Sequence, residues 1–158
     1  MQRYTKFIYL RFMAIDEIKN IQDNIIDDFS FLDSWDEKYS LIIDLGKQLP
    51  SLSEKHKTVV NRIKGCQSQV WLIATTQDDK VYYEADSDAI ITKGLIALLL
   101  QVFSGKSAKS IIQSEPYFIQ SIGMNQHLSP TRSNGLALMV KQIKFYALAL
   151  QAKASPNP

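Results

Sequence analysis

The order of elements in this chain predicts an α+β domain, a small antiparallel sheet of about three strands packed with helices. Three observations carry that reading. Residues 15–45 hold two helical stripes. Residues 58–85 hold short β-branched and aromatic runs broken by a turn. Residues 86–153 return to helical spacing. The 158 residues are the length of one domain, read as 13–153. Residues 1–12 are read as an extension or a start assigned too early, and 154–158 as a flexible tail.

The elements follow in order. Ile15, Ile18, Ile25, Ile26 and Phe29 fall mostly on one stripe with acids opposite, which predicts a helix over 15–29. Ser34-Trp-Asp-Glu37 has the form of a capping box and opens a second helix through about Leu45, bracketed by Gly46 and Pro50. Leu49–Lys57 reads as loop. Thr58–Ile63, Gln69–Thr76 and Lys80–Ala85 read as the three strands, with Gln77-Asp-Asp79 as a turn and Lys64–Ser68 as the first connection. Asp86-Ser-Asp88 is expected to cap a helix through about Phe103, with Gly105 as its stop. That helix is apolar on nearly every face and so is expected to be buried. Short helices follow at about 107–113 and 116–122, and Ser129-Pro130 opens a last helix to about Lys153.

Composition excludes several classes of function. One cysteine and two histidines make neither an intrachain disulfide nor a standard four-ligand Cys/His zinc site. A net charge of +2 does not by itself argue nucleic-acid binding. No run of 18 apolar residues spans a bilayer; residues 95–103 are too short and are interrupted by Gln101. Residues 1–12 lack the apolar core of a secretory signal. The expectation is a cytoplasmic protein whose thiol stays reduced, without nucleic-acid or membrane partners. The charge is uneven. Residues 13–44 carry nine acids against Lys19 and Lys38, whereas residues 93–158 carry seven bases against Glu115. This is either an acidic helix pair packed beside a basic helix or a basic face for an acidic partner.

Cys66 is the one thiol. It follows Gly65 in a turn, among Lys64, Gln67, Ser68 and Gln69. Arg62 and Lys64 are bases close in sequence, and positive charge favours thiolate; the alternative is a buried structural cysteine. A Cys–His hydrolase would need His56 or His127 as its base. His56 lies in a charged run and His127 between two helices; of the two, His127 is the better candidate. Two-cysteine redox chemistry has no resolving thiol. A sulfur carrier needs one reactive cysteine and access to two partners.

Gly65-Cys-Gln-Ser-Gln-Val-Trp-Leu72 resembles the active-cysteine motif of the SufE family, sulfur acceptors for cysteine desulfurases in iron–sulfur cluster assembly. Leu45–Pro50, Asn61–Cys66, Asp86–Ala97, Phe103-Ser-Gly105 and His127–Gly135 resemble further family segments in the right order. The resemblance implies a SufE/IscU-like α+β fold. It also implies that Cys66 takes a persulfide sulfur from a PLP-dependent, SufS-like desulfurase, stimulates that enzyme, and passes the sulfur to a SufBCD-like scaffold. A CsdE-type relay to a different acceptor is the near alternative. No cofactor is expected on this chain, since PLP belongs to the partner, and no stand-alone catalysis. Arg132, Asp88 and His127 match family positions. Arg132 is expected to pair with a carboxylate or steady a sulfur anion. Asp88 is expected to cap its helix or hold the Cys66 loop, and His127 to pack or hydrogen-bond that loop. Gln67 and Ser68 would shape the turn, and Trp71 would be core. Gly65 would let the loop tuck Cys66 inward at rest and swing it out on docking.

Overall fold

The structure, a computed structural model, describes residues 17–154. The extension expected at 1–12, the start of the first helix at Ile15 and residues 155–158 of the tail lie outside the described residues. Helix α1 covers residues 17–30 and buries Ile18, Ile25 and Phe29. Among these apolar side chains lies the buried Gln22. Its amide donates to the Glu115 carbonyl (3.2 Å) and accepts from the Phe118 N–H (3.3 Å). A buried amide with both ends satisfied fastens α1 to residues 115–118 without an unpaired polar group.

Helix α2 (Trp35–Gln48) starts on the expected capping box: Ser34 Oγ accepts from the Glu37 N–H, and Glu37 Oε2 accepts from the Ser34 N–H, both at 3.2 Å. It runs past Gly46, which the sequence reading placed at its end. The reason is a helix crossing. A Cβ at Gly46 would lie 2.7 Å from the Gly94 nitrogen of the helix that follows the sheet's second strand, and one at Gly94 would strike the Ile42 carbonyl. The two backbones touch where neither residue has a side chain. The expected 49–57 loop contains a short 3₁₀ turn, Glu54–His56.

The sheet is three-stranded and antiparallel, in the order β1-β2-β3, as the fold class predicted. Strand β1 (Val70–Gln77) pairs with β2 (Lys80–Ser87) in register from Val70↔Ser87 to Gln77↔Lys80. Asp78 and Asp79 turn the hairpin with φ of 52° and 61°, the left-handed pair a two-residue turn requires. The third strand is not the 58–63 run. That segment is a turn, with a single bridge from Arg62 to Trp71, and Val59 and Val60 project into solvent. Strand β3 is instead Lys106–Ser107, paired with Lys80 and Val81 of β2.

Helix α3 (Ile90–Phe103) is buried along most of its circumference, as its composition requires. It lies against α2, β2 and the last helix. Its start differs from expectation. The N-cap residue is Ala89, with no side-chain cap. Ser87 Oγ accepts from the Ala89 N–H at 3.2 Å, and the two acids turn elsewhere. Short helices α4 (Ala108–Gln113), α5 (Phe118–Ile122) and α6 (Met124–His127) lead to α7 (Pro130–Ala154). Ser107 caps α4, accepting from the Ser110 N–H at 3.1 Å. Helix α7 buries Gly135, Leu136, Met139, Ile143 and Ala147. The Tyr83 hydroxyl donates to the Ile143 carbonyl at 2.7 Å and ties α7 to the sheet.

Candidate functional site

The Cys66 loop is closed at its base. The Ile63 N–H donates to the Val70 carbonyl (2.8 Å), and the Leu72 N–H to the Asn61 carbonyl (2.9 Å). Residues 64–69 therefore bulge from the start of β1. Gly65 holds φ at +89°, and a Cβ there would come within 3.0 Å of Leu138 Cδ1 of α7. Both facts favour glycine. The far limb is fastened through Gln69, whose N–H donates to Asp88 Oδ1 (2.9 Å) and whose carbonyl accepts from Ser87 Oγ (2.8 Å). Asp88 thus grips the loop rather than capping α3, one of the two roles the sequence left open.

Cys66 is half-buried, and its thiol meets the Gly135 carbonyl at 3.9 Å. It lines a cavity of about 350 Å³ between the loop, α3 and the start of α7. Leu95 and Met139 line this cavity as apolar groups, with Gln67, Ser68, Ser129 and Arg132 supplying polar ones. Burial pushes the Cys66 thiol above its ordinary pKa, which corrects the expectation that Arg62 and Lys64 favour thiolate here. Those two bases line a neighbouring groove, not this cavity. The group positioned for an anion is the exposed Arg132, together with the N-terminal turn of the 25-residue α7, whose dipole is positive at that end.

The other candidates separate. His127 stacks on Trp35, with ring centroids 4.1 Å apart, and its carbonyl accepts from the Tyr39 hydroxyl at 2.9 Å. Its ring packs on α2 and does not line the Cys66 cavity, so the hydrolase base is not where that reading needs it. Trp71 is half-buried beneath Lys57, whose Nζ is 5.6 Å from the ring centroid.

One residue escaped the sequence reading. Asp86, drawn there as part of a cap, is buried. Its carboxylate accepts from the Leu52 N–H (3.0 Å) and the Ser87 N–H (2.8 Å) and pairs with Lys57 (3.4 Å) and Lys93 (3.3 Å). Burial alone would raise its pKa, yet the two N–H donors and Lys93 outweigh burial and hold it below the ordinary value. The knot ties the 52–57 segment to the start of α3. No local pattern marks it, because its lysine partners lie far apart in sequence. Among the described residues no cluster of three or more His, Cys, Asp or Glu is placed to hold a metal ion, and no helix is long and apolar enough to cross a membrane.

Fold and site together define a class: an α+β domain that presents its single thiol in a short loop beside a helix start. The SufE family, described as an Fe–S metabolism associated domain, matches residues 23–147. An uncharacterized SufE-like protein of Rhizobium etli is 47% identical over 127 residues, 77% of this chain and 86% of that one. One of Rhizobium meliloti is 44% identical over 127 residues, covering 77% and 91%. SufE-like protein 1 of Arabidopsis thaliana, chloroplastic/mitochondrial, is 39% identical over 144 residues, 90% of this chain and 39% of that longer protein. The chain belongs to the SufE family. A solution structure of a hypothetical protein from Thermus thermophilus shares the fold at 16% identity, with a TM-score of 0.70 over 84% of this chain and 96% of that one. Family membership supports a general role in sulfur transfer within iron–sulfur metabolism, as an accessory to a cysteine desulfurase rather than a stand-alone catalyst.

Proposed function

We propose that Cys66 accepts the sulfur of a cysteine desulfurase persulfide and carries it to an iron–sulfur scaffold complex of the SufBCD type, and that docking stimulates the desulfurase. The observation that supports this reading is the placement of the only thiol in a half-open cavity beside Arg132 and the start of α7. The Cys66 thiolate attacks the outer sulfur of the donor persulfide. The donor's S–S bond breaks, its own thiolate leaves, and a new S–S bond forms on Cys66, with no net oxidation. The Arg132 guanidinium and the α7 dipole favour the anionic sulfur that results. PLP works on the desulfurase, and this chain needs no cofactor of its own. The exchange belongs in a reducing compartment, in keeping with the cytoplasmic reading.

Intact-mass spectrometry tests the proposal. The protein is mixed with its host's PLP-loaded cysteine desulfurase and L-cysteine, without reductant. Wild-type protein is expected to gain the mass of one or more sulfur atoms and to speed cysteine turnover, whereas Cys66→Ser gains none. Equal loading of both proteins, or of neither, would remove Cys66 from the role.

A further inference from the structure

Beside the Cys66 loop, α7 and the turn at 58–64 enclose a second groove of about 390 Å³. Its lining mixes Val60, Leu138 and Phe145 with three cations, Arg62, Lys64 and Lys141. The apolar groups are unusually open: Val60 is 87% exposed, Val59 beside it 78%, and Phe145 59%. Two adjacent valines at the tip of a turn gain nothing for folding there, where small polar residues ordinarily sit. On α7, Leu138, Lys141, Phe145 and Leu148 follow one another at helical spacing along one face. An exposed apolar patch rimmed by charge of one sign marks an interaction surface.

We infer that this groove is the docking surface for the desulfurase, and that it receives an acidic, apolar strip of that enzyme. The inference rests on the proposed acceptor role and names the surface through which it works. Continuity supports it. Lys64 adjoins Gly65 and Cys66, and Leu138 lies against Gly65. A donor whose persulfide reaches Cys66 Sγ must cover the rim of the loop, and this rim carries exposed apolar area to bury. Charge complementarity selects an acidic occupant. The cavity and the groove thus divide the labour along α7, one holding the reacting sulfur and the other holding the partner.

The test compares desulfurase stimulation and sulfur loading for the full chain and the variants Phe145→Ser, Val60→Ser and Lys141→Glu. Phe31→Ser, an exposed apolar residue between α1 and α2, serves as the control, and thermal melts confirm folding. The groove variants are expected to raise the half-maximal concentration by about tenfold, with Cys66 loading at saturation preserved. Lys141→Glu should also flatten the salt dependence of binding, which Phe145→Ser leaves intact. Half-maximal concentrations within twofold of wild type would overturn the assignment. So would unchanged donor binding with lost delivery to the scaffold complex, which would give the groove to the sulfur receiver. If wild-type protein neither binds the desulfurase nor takes sulfur, the acceptor reading itself falls, and this surface with it.

Discussion

Glycine pairs mark two seams of this protein and do opposite things in them. At the crossing of α2 and α3, Gly46 and Gly94 let two backbones meet, so that a single Cβ on either would strike main chain. At the seam between the Cys66 loop and α7, Gly65 turns the loop at positive φ against the Leu138 side chain, and Gly135 leaves room. A Cβ at Gly135 would stand 3.9 Å from Cys66 Sγ, at ordinary contact distance, with no main chain in the way. The first seam is packed as tightly as a protein interior permits. The second keeps a cavity and one weak thiol contact. A stiff frame fixes where α3 and α7 stand, so the loop between them can be held by few bonds and still be aimed.

The largest test of that contrast is Gly94→Ala. Its new methyl has nowhere to go but the Ile42 backbone, so the helices must part. We expect a loss of about 3 kcal/mol, the upper end of overpacking costs, or a fall in Tm of about 10 °C for a chain of this size. The same substitution at Gly135 is expected to be neutral or to stabilise by up to about 1 kcal/mol through helix propensity. Calorimetry of the pair decides the matter: equal losses would mean the two seams are equally tight.

Asp86→Asn is the next step down. It leaves Lys57 and Lys93 facing each other across a neutral amide. Both lysines are part-exposed, so we expect about 2 kcal/mol, below the 3–5 kcal/mol of a fully buried pair. The pH dependence has a definite sign. The folded carboxyl titrates below its ordinary value. Its stabilisation is therefore complete above the unfolded pKa and is lost as pH falls through the folded one. Denaturant midpoints measured down into the acid range should converge for wild type and Asp86→Asn. A gap that persists below the folded pKa would show that the charge is not what holds the 52–57 segment.

Legibility in the sequence followed the range of the interactions. The Ser34/Glu37 box, the Ser107 cap, the two-aspartate hairpin and the all-apolar α3 are local patterns, and each stands where local chemistry put it. The loop position of Cys66 was legible for the same reason, from Gly65 and the polar run around it. The 58–63 strand failed because β-branched residues report a preference for a pleated, half-buried surface, and Val59 and Val60 are exposed instead. The true third strand, two residues long, is too short for any periodic signal. Asp86 and the Gly46/Gly94 contact were invisible because their partners come from other parts of the chain. The thiol's environment was misread similarly: Arg62 and Lys64 are near Cys66 in sequence but face a different groove.

The smallest expected effect concerns when the thiol is reactive. Burial alone pushes the Cys66 pKa up, and burial is removable. In the resting protein the thiolate fraction near neutral pH should be smaller than that of an open thiol, and alkylation by iodoacetamide correspondingly slower. Its rate should climb with pH to a midpoint above the ordinary cysteine value, and unfolding in urea should speed it at fixed neutral pH. Adding the desulfurase without L-cysteine should move the midpoint down if docking lifts Sγ out of the cavity, since the desolvation that raised it disappears. Mass-resolved alkylation rates across pH, with and without the partner, read both effects. A resting midpoint at or below that of a free thiol would mean that cations, not burial, set the chemistry of Cys66, and that the loop is already poised before any partner arrives.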